Sequence, residues 1–395
     1  MDSPVLFALN LSTLVIIIFS ANLLFLRATK RQVYFPLGLC LLCIGIVVCQ
    51  PTLTSLLPNL RPNVLILALP AVLLIAPCFW FYVEGITAKS PWQIKAIKRR
   101  HFILSGLGVI IALLAVLLPP ELKYSLLIEG NENVLKDQEG VSRYVAVFCL
   151  IATLILVLAW VVQSGFYFIK IVNRLRQYRL QLKNVFASTD TKEVRWLSWV
   201  MLAIGLVWTA AAVNIVLDNL FFTTQYNATV AHAVILIMIW SVALWGLRQK
   251  PGLEELYSEN EAIDVLVDET TPPREKYQRS ALEHAQSQKI AEKLDVAMKQ
   301  DKLYLDASLS LPKLAKKIGS TPNYISQTLN GQLNTSFFDY INHYRVLEAK
   351  ERLTNTEDTV VEIAMAVGFN AKSSFYSAFK KETQQTPSQF RKSGL

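Results

Sequence analysis

The sequence predicts an all-α protein: a bundle of seven transmembrane helices, followed by a cytoplasmic helical domain with two helix-turn-helix units. Three observations predict this fold class. Hydrophobic residues make up 53% of the 395 positions and charged residues only 17%. The charge is unevenly divided: the first 250 residues hold 21 Lys and Arg with 10 Asp and Glu, whereas the last 145 hold 18 and 20. A helix-turn-helix pattern also occurs twice near the C-terminus.

The composition excludes several classes of protein. Soluble globular proteins carry roughly 25% charged residues, which only the second part of this chain approaches. The apolar content excludes a disordered chain, and the length excludes a small disulfide-stapled domain. All the cysteines lie in apolar runs, so we interpret them as small buried hydrophobes; Cys40 and Cys43 lack companion ligands for a metal. The set is Cys40, Cys43, Cys49, Cys78 and Cys149.

Seven stretches meet or approach the roughly 20 apolar residues that a transmembrane helix needs. They are Pro4 to Leu26, Val33 to Leu57, Asn63 to Ile86, Phe102 to Leu118, Tyr144 to Ile169, Trp196 to Phe222 and Thr229 to Leu247. The first differs from a signal peptide because Asp2 replaces the basic start and Arg27 follows the long apolar run. We interpret it as an uncleaved span with its N-terminus outside.

The loops between these stretches predict the orientation, because short cytoplasmic loops carry an excess of Lys and Arg. With the N-terminus outside, 17 basic residues of the first 250 positions lie in inner loops and four in outer loops. An odd number of spans then places the C-terminal part in the cytoplasm. Attraction to anionic lipid explains the basic inner segment from Lys170 to Lys183.

Polar residues inside the spans are candidates for a ligand or sensing site, because they are costly in hydrocarbon. Asn214 and Asp218 lie four apart on one helix face, and a short loop connects this span to the one that carries His232. Gln50 lies in the same outer half of the membrane. The alternative is that these residues form interhelical hydrogen bonds that hold the bundle together.

Residues 251–280 form an acidic, proline-containing linker between the membrane domain at 1–250 and the DNA-binding domain at 281–395. A tether of this composition is flexible or partly ordered. Helical periodicity resumes from Gln286 to Gln300, where Ile290, Leu294 and Met298 form one apolar stripe. We expect this helix to pack onto the domain that follows.

The two helix-turn-helix patterns span about residues 310–330 and 359–383. Ala315 and Ala364 supply small residues where the paired helices cross. Gly319 and Gly368 supply the left-handed conformation that ends the first helix of each pair. On the second helices, Ile325 and Leu329 correspond to Phe375 and Phe379, and each pair predicts one buried face.

The second helices carry the candidate DNA-binding residues. Thr321 and Asn370 are predicted N-caps, and Pro322 follows Thr321 at the first helical position. Asn and Gln pair with adenine edges, whereas Lys and Ser contact phosphates or guanine. The alternative for any single residue is an ordinary solvated helix face. The candidates are Thr321, Asn323, Tyr324, Gln327, Asn330, Asn370, Lys372, Ser373, Ser374, Ser377, Lys380 and Lys381.

The segment from Ser336 to Leu353 is predicted to be one helix that connects the two patterns. At 1.5 Å per residue it spans roughly 27 Å, which would hold two recognition helices over successive major-groove faces about 34 Å apart. Its predicted apolar face consists of Phe337, Tyr340, Ile341, Tyr344, Leu347 and Leu353.

These residues carry a family resemblance: the segment from about Tyr304 to Arg391 resembles the DNA-binding domain of AraC-type transcription regulators. The most specific stretch is Ile363-Ala364 through Gly368-Phe369, Ser373, Phe375, Phe379-Lys380-Lys381 and Thr386-Pro387-Ser388-Gln389-Phe390-Arg391. The resemblance implies about seven helices, with one recognition helix of each unit in the major groove. Asn334 and Gln384 stand where the family usually has glycine. The membrane half lies outside the resemblance, although some family members carry membrane-embedded sensor halves.

Together these features predict a one-component transcription regulator of the bacterial inner membrane, not an enzyme and without a cofactor or metal. Its expected partners are double-stranded promoter DNA, the lipid bilayer, an unidentified signal ligand, a second copy of the chain and the transcription machinery. The alternative is a membrane receptor or transporter whose cytoplasmic helices recruit protein partners. An enzyme is disfavoured because the C-terminal part offers only His284 and His343 and no phosphate-binding glycine loop.

Overall fold

The structure, a computed structural model, describes residues 4–131, 133–137, 140–188, 194, 196–200, 202–203, 228–253 and 280–393. Its described residues are almost entirely helical and contain no strand, only an isolated antiparallel bridge between Phe186 and Ser310. The chain divides into two compact units. We call residues 1–174 with 194–250 the apolar bundle, and residues 175–193 with 251–395 the C-terminal unit. The predicted all-α class is confirmed at this level.

The helices of the apolar bundle are long where the sequence is apolar and short in the connections. They are α1 (Pro4–Ala28), α2 (Phe35–Val48), α3 (Gln50–Leu56), α4 (Arg61–Ile86), α5 (Ile103–Val116), α6 (Pro120–Tyr124), α7 (Val134–Asp137), α8 (Val141–Val185, of which residues 141–174 lie in this unit) and α9 (Ala228–Arg248). α1 packs against α2 and α9, α2 against α4, and α4 against α5. Leu73, Ile111 and Leu156 join α4, α5 and α8 in one buried cluster.

The bundle exposes many large apolar side chains. In α1 the residues at helical spacing Asn10, Thr13, Ile17 and Ser20 are buried. Residues on the opposite face, such as Phe19, are exposed. A water-soluble helix shows the reverse arrangement, with its polar face outward. Exposed apolar surface of this extent is typical of membrane-spanning bundles and of protein interfaces.

Among the described residues, five helices have the length and composition needed to cross a membrane, and a sixth if one bent pair forms a single span. That pair joins residues 32–48 to residues 50–56 with a bend of 43°, at the stretch from Val33 to Leu57 that we predicted as one span. Most of the stretch from Trp196 to Phe222 lies outside the described residues. The count of seven spans therefore stays a prediction.

The C-terminal unit contains seven helices of its own within the described range. They are α10 (Ser280–Lys299), α11 (Leu311–Ile318), α12 (Pro322–Gln327), α13 (Phe337–Asn355), α14 (Val360–Ala366), α15 (Lys372–Thr383) and α16 (Pro387–Ser393). Helix α10 begins earlier than the predicted Gln286, and its stripe of Ile290, Leu294 and Met298 is buried as expected.

Helix α13 connects two hydrophobic cores. Its first turns bury Phe337 and Ile341 in a core that also contains residues of α10, α11 and α12. Its last turns bury Val346, Ala349 and Leu353 in a core shared with α14 and α15. The two helix-turn-helix units are thus fixed to successive faces of one helix.

Candidate nucleic-acid interface

The first helix-turn-helix unit consists of α11 and α12. Gly319 ends α11 with φ 62°, the left-handed conformation that the sequence predicts. The Thr321 side chain accepts a hydrogen bond from the backbone N–H of Tyr324 at 3.4 Å, and Pro322 occupies the first helical position. The predicted cap is therefore confirmed. Ile325 and Leu329 are buried, although α12 ends at Gln327 and the chain continues as a π-helical turn.

The second unit consists of α14 and α15. Thr359 and Glu362 form a reciprocal capping box at the start of α14, with hydrogen bonds of 3.2 and 2.8 Å. Gly368 has φ 94°, and a Cβ atom built on it would lie 2.8 Å from the carbonyl oxygens of Tyr304 and Leu305. Only glycine fits this turn, because the backbone φ is positive and there is no room for a Cβ atom.

The prediction that Asn370 caps α15 is wrong. The N-cap is Ala371, which offers no side-chain acceptor. The Asn370 side chain instead donates a hydrogen bond to the carbonyl oxygen of Ala307 at 3.2 Å. Asn370 therefore ties the second turn to the segment that precedes α11, and the first backbone N–H groups of α15 have no side-chain cap.

The other predicted DNA-binding residues lie on the outer faces of α12 and α15 or, for Asn330, in the turn that follows α12. In the first unit Tyr324 and Gln327 are exposed, Asn323 is half-buried, and Asn330 donates to the Ser326 hydroxyl at 3.3 Å. In the second unit Ser374 is half-buried, and the remaining candidates are exposed: Lys372, Ser373, Ser377, Lys380 and Lys381. Each unit thus presents polar side chains on one side and its core residues on the other.

The cations of the second unit have different surroundings. The Lys372 ammonium lies 5.3 Å from the centre of the Tyr376 ring, in the first turn of α15. Lys381 forms an ion pair of 2.7 Å with Asp339 of α13, so its charge is partly neutralised. Lys316 and Lys317, in the last turn of α11, are exposed cations that our sequence reasoning did not single out.

A buried arginine of α13 ties this helix to Ala187 and to the segment that precedes α11. The Arg345 side chain is 0% exposed and donates to three carbonyl oxygens, those of Tyr304 at 2.7 Å, Asp306 at 2.9 Å and Ala187 at 3.2 Å. Burial lowers the pKa of Arg345 to about 10, against the opposing attraction of Asp306. Since backbone carbonyl oxygens accept the hydrogen bonds of the guanidinium, Arg345 has a structural role.

Arg345 corrects the predicted face of the connecting helix. Sequence reasoning placed Leu347 on the apolar face, but Leu347 is 42% exposed. Ile341, Arg345 and Ala349 are spaced by four residues and all are buried. Residues four apart share a helix face, so Arg345 lies on the same buried face as Ile341 and Ala349.

Two non-glycine residues adopt the left-handed conformation where the resembled family usually has glycine. Asn334 has φ 47° and Gln384 has φ 60°. Gln384 ends α15, and its backbone N–H donates to the carbonyl oxygen of Lys380 at 2.9 Å. The turn is therefore built without glycine, at the conformational cost that a side chain brings.

The predicted sensing residues are only partly within the described range. Gln50 lines an apolar cavity of the bundle, and His232 is half-buried in α9. Asn214 and Asp218 lie outside the described residues. Within the described part of the chain, no three His, Cys, Asp or Glu side chains gather in a way that would hold a metal ion. All five cysteines are free, and four of them are buried.

Residues 314–393 match the family model of a helix-turn-helix domain. The C-terminal domain is a helix-turn-helix domain of the AraC type. An uncharacterized HTH-type transcriptional regulator of Staphylococcus aureus (strain COL) is 35% identical to this AraC-type domain over 89 residues, which are 22% of this chain and 12% of the relative.

The HTH-type transcriptional regulator MtrA of Neisseria gonorrhoeae is 30% identical over 107 residues, which are 27% of this chain and 32% of MtrA. Among solved structures, the C-terminal domain of AraT, a response regulator from Geobacillus stearothermophilus, is 28% identical, with a TM-score of 0.23. That match covers 29% of this chain and 88% of the solved one. The chain spans between about an eighth and a third of the curated relatives named here.

Proposed function

We propose that this protein is a membrane-embedded one-component transcription regulator. Its AraC-type domain binds promoter DNA sequence-specifically through two recognition helices, and the apolar bundle senses a signal. The observation that carries the proposal is the presence, in one chain, of a double helix-turn-helix domain and a bundle with lipid-compatible outer faces. The relatives of the domain are transcriptional regulators, a class that typically has no enzymatic activity.

The exposed faces of α12 and α15 support DNA reading. Gln327 and Asn323 offer amides for adenine edges, and Lys372 and Lys380 offer cations for phosphates. The connecting helix α13 has 19 residues, hence a length of roughly 28 Å. That length approaches the 34 Å between successive major-groove faces, so one domain would contact two adjacent groove segments.

The outer faces of the bundle support a membrane setting. In α8, Ile155, Leu158 and Val162 are 59%, 60% and 73% exposed. Such a face is stable against hydrocarbon and costly against water. The excess of basic residues in the proposed inner loops supports an orientation in which the AraC-type domain lies in the cytoplasm of a bacterium.

The end of α8 supports a route by which the bundle would control DNA binding. Residues 175–188 belong to the C-terminal unit, and Ala187 is part of the core of the first helix-turn-helix unit. The Ala187 N–H donates to the carbonyl oxygen of Leu309 at 3.2 Å, and its own carbonyl accepts from Arg345. We infer that a change in helix packing that moves α8 would act on the hydrogen bond between Ala187 and Arg345, and would alter the population of DNA-binding arrangements.

The test of DNA reading uses the full-length chain in lipid nanodiscs. A duplex selected from a randomised library is expected to bind roughly a thousandfold more tightly than its scrambled counterpart, with affinity that falls steeply as salt rises. Combining Gln327→Ala with Lys372→Ala should lower that preference through the loss of Gln327 and lower the affinity for both duplexes through the loss of Lys372. Lys299→Ala is the matched control, because Lys299 is an exposed cation paired with Asp295 on α10. Equal affinity for both duplexes would refute specific reading.

The test of the membrane setting uses impermeant thiol labelling of intact cells. In a chain without native cysteines, Lys136→Cys should react from outside and Lys392→Cys only after lysis. Both positions are exposed side chains, so a difference in labelling reports the side of the membrane. Labelling of both positions in intact cells would contradict the orientation.

A further inference from the structure

The apolar bundle contains a cavity of about 640 Å³. It lies between residues of α2 to α6 and α8, and its walls are almost entirely hydrophobic. Its volume falls within the 300–1,000 Å³ typical of small-molecule sites, which combine apolar walls with a few polar groups. The polar groups here are Lys123, Gln50 and Thr153.

Lys123 gives this cavity a charge. The side chain is 6% exposed, and its ammonium donates to Asn63 Oδ1 at 2.9 Å and to the Val116 carbonyl oxygen at 2.7 Å. An ammonium has three N–H donors, so one donor has no partner among the described residues. Both acceptors are uncharged, and no described carboxylate forms an ion pair with Lys123. A buried cation without a counter-charge is costly, and an anion at this position would offset the cost.

Gln50 provides a second polar group in the same wall. Its side-chain amide makes no hydrogen bond to any residue of the described chain, although it lines the cavity. Sequence reasoning selected Gln50 as a candidate sensing residue because a polar side chain within an apolar span has a cost. Because Gln50 lines the cavity, its side chain would contact a ligand bound there.

One wall of the cavity follows α8. Ala146, Cys149, Thr153, Val157 and Trp160 all line it and recur at helical spacing. These positions cover roughly 21 Å of helix at 1.5 Å per residue. One acyl chain spans about 15 Å, half the hydrocarbon thickness of a bilayer. The wall therefore accommodates one long chain together with its head group.

We propose that this cavity binds an amphiphile with one long hydrocarbon chain and an anionic head group. The head group accepts the remaining N–H of Lys123, and the chain lies along α8. The assignment deepens the proposed function, since it names the chemical class of the signal and rests on the membrane setting of the bundle. A carboxylate and a phosphate share the required chemistry, and the experiment separates them.

The test measures quenching of tryptophan fluorescence by 9,10-dibromostearate, with the full-length chain in phosphatidylcholine nanodiscs. We expect saturable quenching that Trp160→Phe largely removes, because Trp160 lines the cavity. The dibrominated alcohol of equal chain length should bind at least tenfold more weakly. Competition with lysophosphatidylglycerol distinguishes a phosphate head group from a carboxylate. Equal binding of acid and alcohol, or no saturable binding of either anion, would overturn the proposal.

Variants locate the head group. Lys123→Gln should weaken binding at least tenfold, Lys123→Arg should restore it, and Lys136→Gln should leave it unchanged, because Lys136 is an exposed lysine of the same loop. Ala115→Leu fills the cavity and should weaken binding, whereas Val109→Leu, at an exposed position of α5 outside the cavity, should not. Unchanged binding in Lys123→Gln would overturn the assignment. If Lys123→Gln fails to fold, the comparison of acid with alcohol still decides on the unaltered chain.

Failure of this proposal is distinguishable from failure of the proposed function. Amphiphile binding is measured without DNA, and sequence preference for DNA is measured on the same preparation without amphiphile. If sequence preference for DNA is retained but the acid and the alcohol bind equally, the cavity assignment is refuted and the proposed regulator function is not. Lysine-dependent amphiphile binding without DNA preference refutes the regulator alone.

Discussion

The two helix-turn-helix units share a plan and differ in the helix that each exposes. The first exposes α12, which has six residues, a side-chain cap from Thr321, and amide and phenol groups outward. The second exposes α15, which has 12 residues, no side-chain cap, and cations in its first and last turns. A repeat in sequence therefore does not produce two equal reading surfaces. In the proposed function, the first unit would contribute more to base recognition and the second more to phosphate contact.

The largest expected effect concerns the two equivalent glycines. Gly368→Ala should destabilise the domain by about 2–5 kcal/mol, because the left-handed backbone costs about 1–2 and overpacking about 1–3 kcal/mol. Gly319→Ala should cost only about 1–2 kcal/mol, since a Cβ built there meets nothing within 4 Å. Amide hydrogen exchange of α11 to α15 in the full-length chain would measure both. Equal losses would show that the surroundings of Gly368 do not matter.

The next effect concerns two hydrogen-bonded carboxylates, Glu348 of α13 and Glu362 of α14. Glu348 accepts hydrogen bonds from Lys302, Tyr304 and Arg352 at 2.9–3.1 Å. Burial alone would raise the pKa of Glu348, but these donors outweigh it, so the pKa lies below its ordinary value. The folded state thus favours the ionised form, and the contribution to stability is present above about pH 4.5 and lost as pH falls through the lowered pKa.

Glu348→Gln should therefore cost about 1.5–3 kcal/mol at neutral pH and flatten the loss of stability in acid. Glu362 is the comparison in the second unit. Hydrogen bonds from Thr359 lower its pKa as well, but the side chain is exposed, so Glu362→Gln should have a smaller effect. Urea denaturation of the full-length chain across pH 3–7 measures both. An acid transition of Glu348→Gln that matches the unaltered chain would exclude the network as its cause.

Single substitutions on α12 and α15 test whether the first unit recognises bases and the second contacts phosphates. Gln327→Ala should weaken binding to the preferred duplex by about 1–3 kcal/mol and relax its specificity, with an unchanged salt slope. Lys372→Ala should weaken binding to all duplexes alike and reduce the salt slope by about one. Fluorescence anisotropy between 50 and 200 mM salt separates the outcomes. A reduced slope in both variants would mean that both units contact phosphate.

Periodicity predicted the parts of the fold that depend on a repeating pattern. The apolar stripe of α10, the buried pairs of α12 and α15, and the left-handed glycines all follow from local geometry, and all are confirmed. The apolar helices of the bundle also follow from length and composition. These features can be predicted without knowing the tertiary contacts of each helix.

The remaining features depend on contacts between distant segments. Arg345 is buried because carbonyl oxygens at Ala187, Tyr304 and Asp306 converge on it, and nothing near Arg345 in the sequence announces them. Asn370 binds Ala307, 63 residues away, instead of capping its own helix. Lys123 lies between two predicted spans, a position that suggests solvent, yet its ammonium donates to Asn63 of α4 and to the carbonyl oxygen of Val116 at the end of α5. Long-range hydrogen bonds decide each of these cases.

The smallest expected effect concerns the left-handed turn that ends the second unit. Gln384→Gly should stabilise the domain by about 0.5 kcal/mol, because relief of the left-handed strain exceeds the entropy that glycine adds to the unfolded chain. Asn334→Gly, at the corresponding turn of the first unit, should change stability less, since Asn tolerates this conformation. Urea denaturation of both variants measures the difference. Destabilisation by Gln384→Gly would instead assign a role to the Gln384 side chain, whose amide donates to the Lys381 carbonyl oxygen at 3.2 Å.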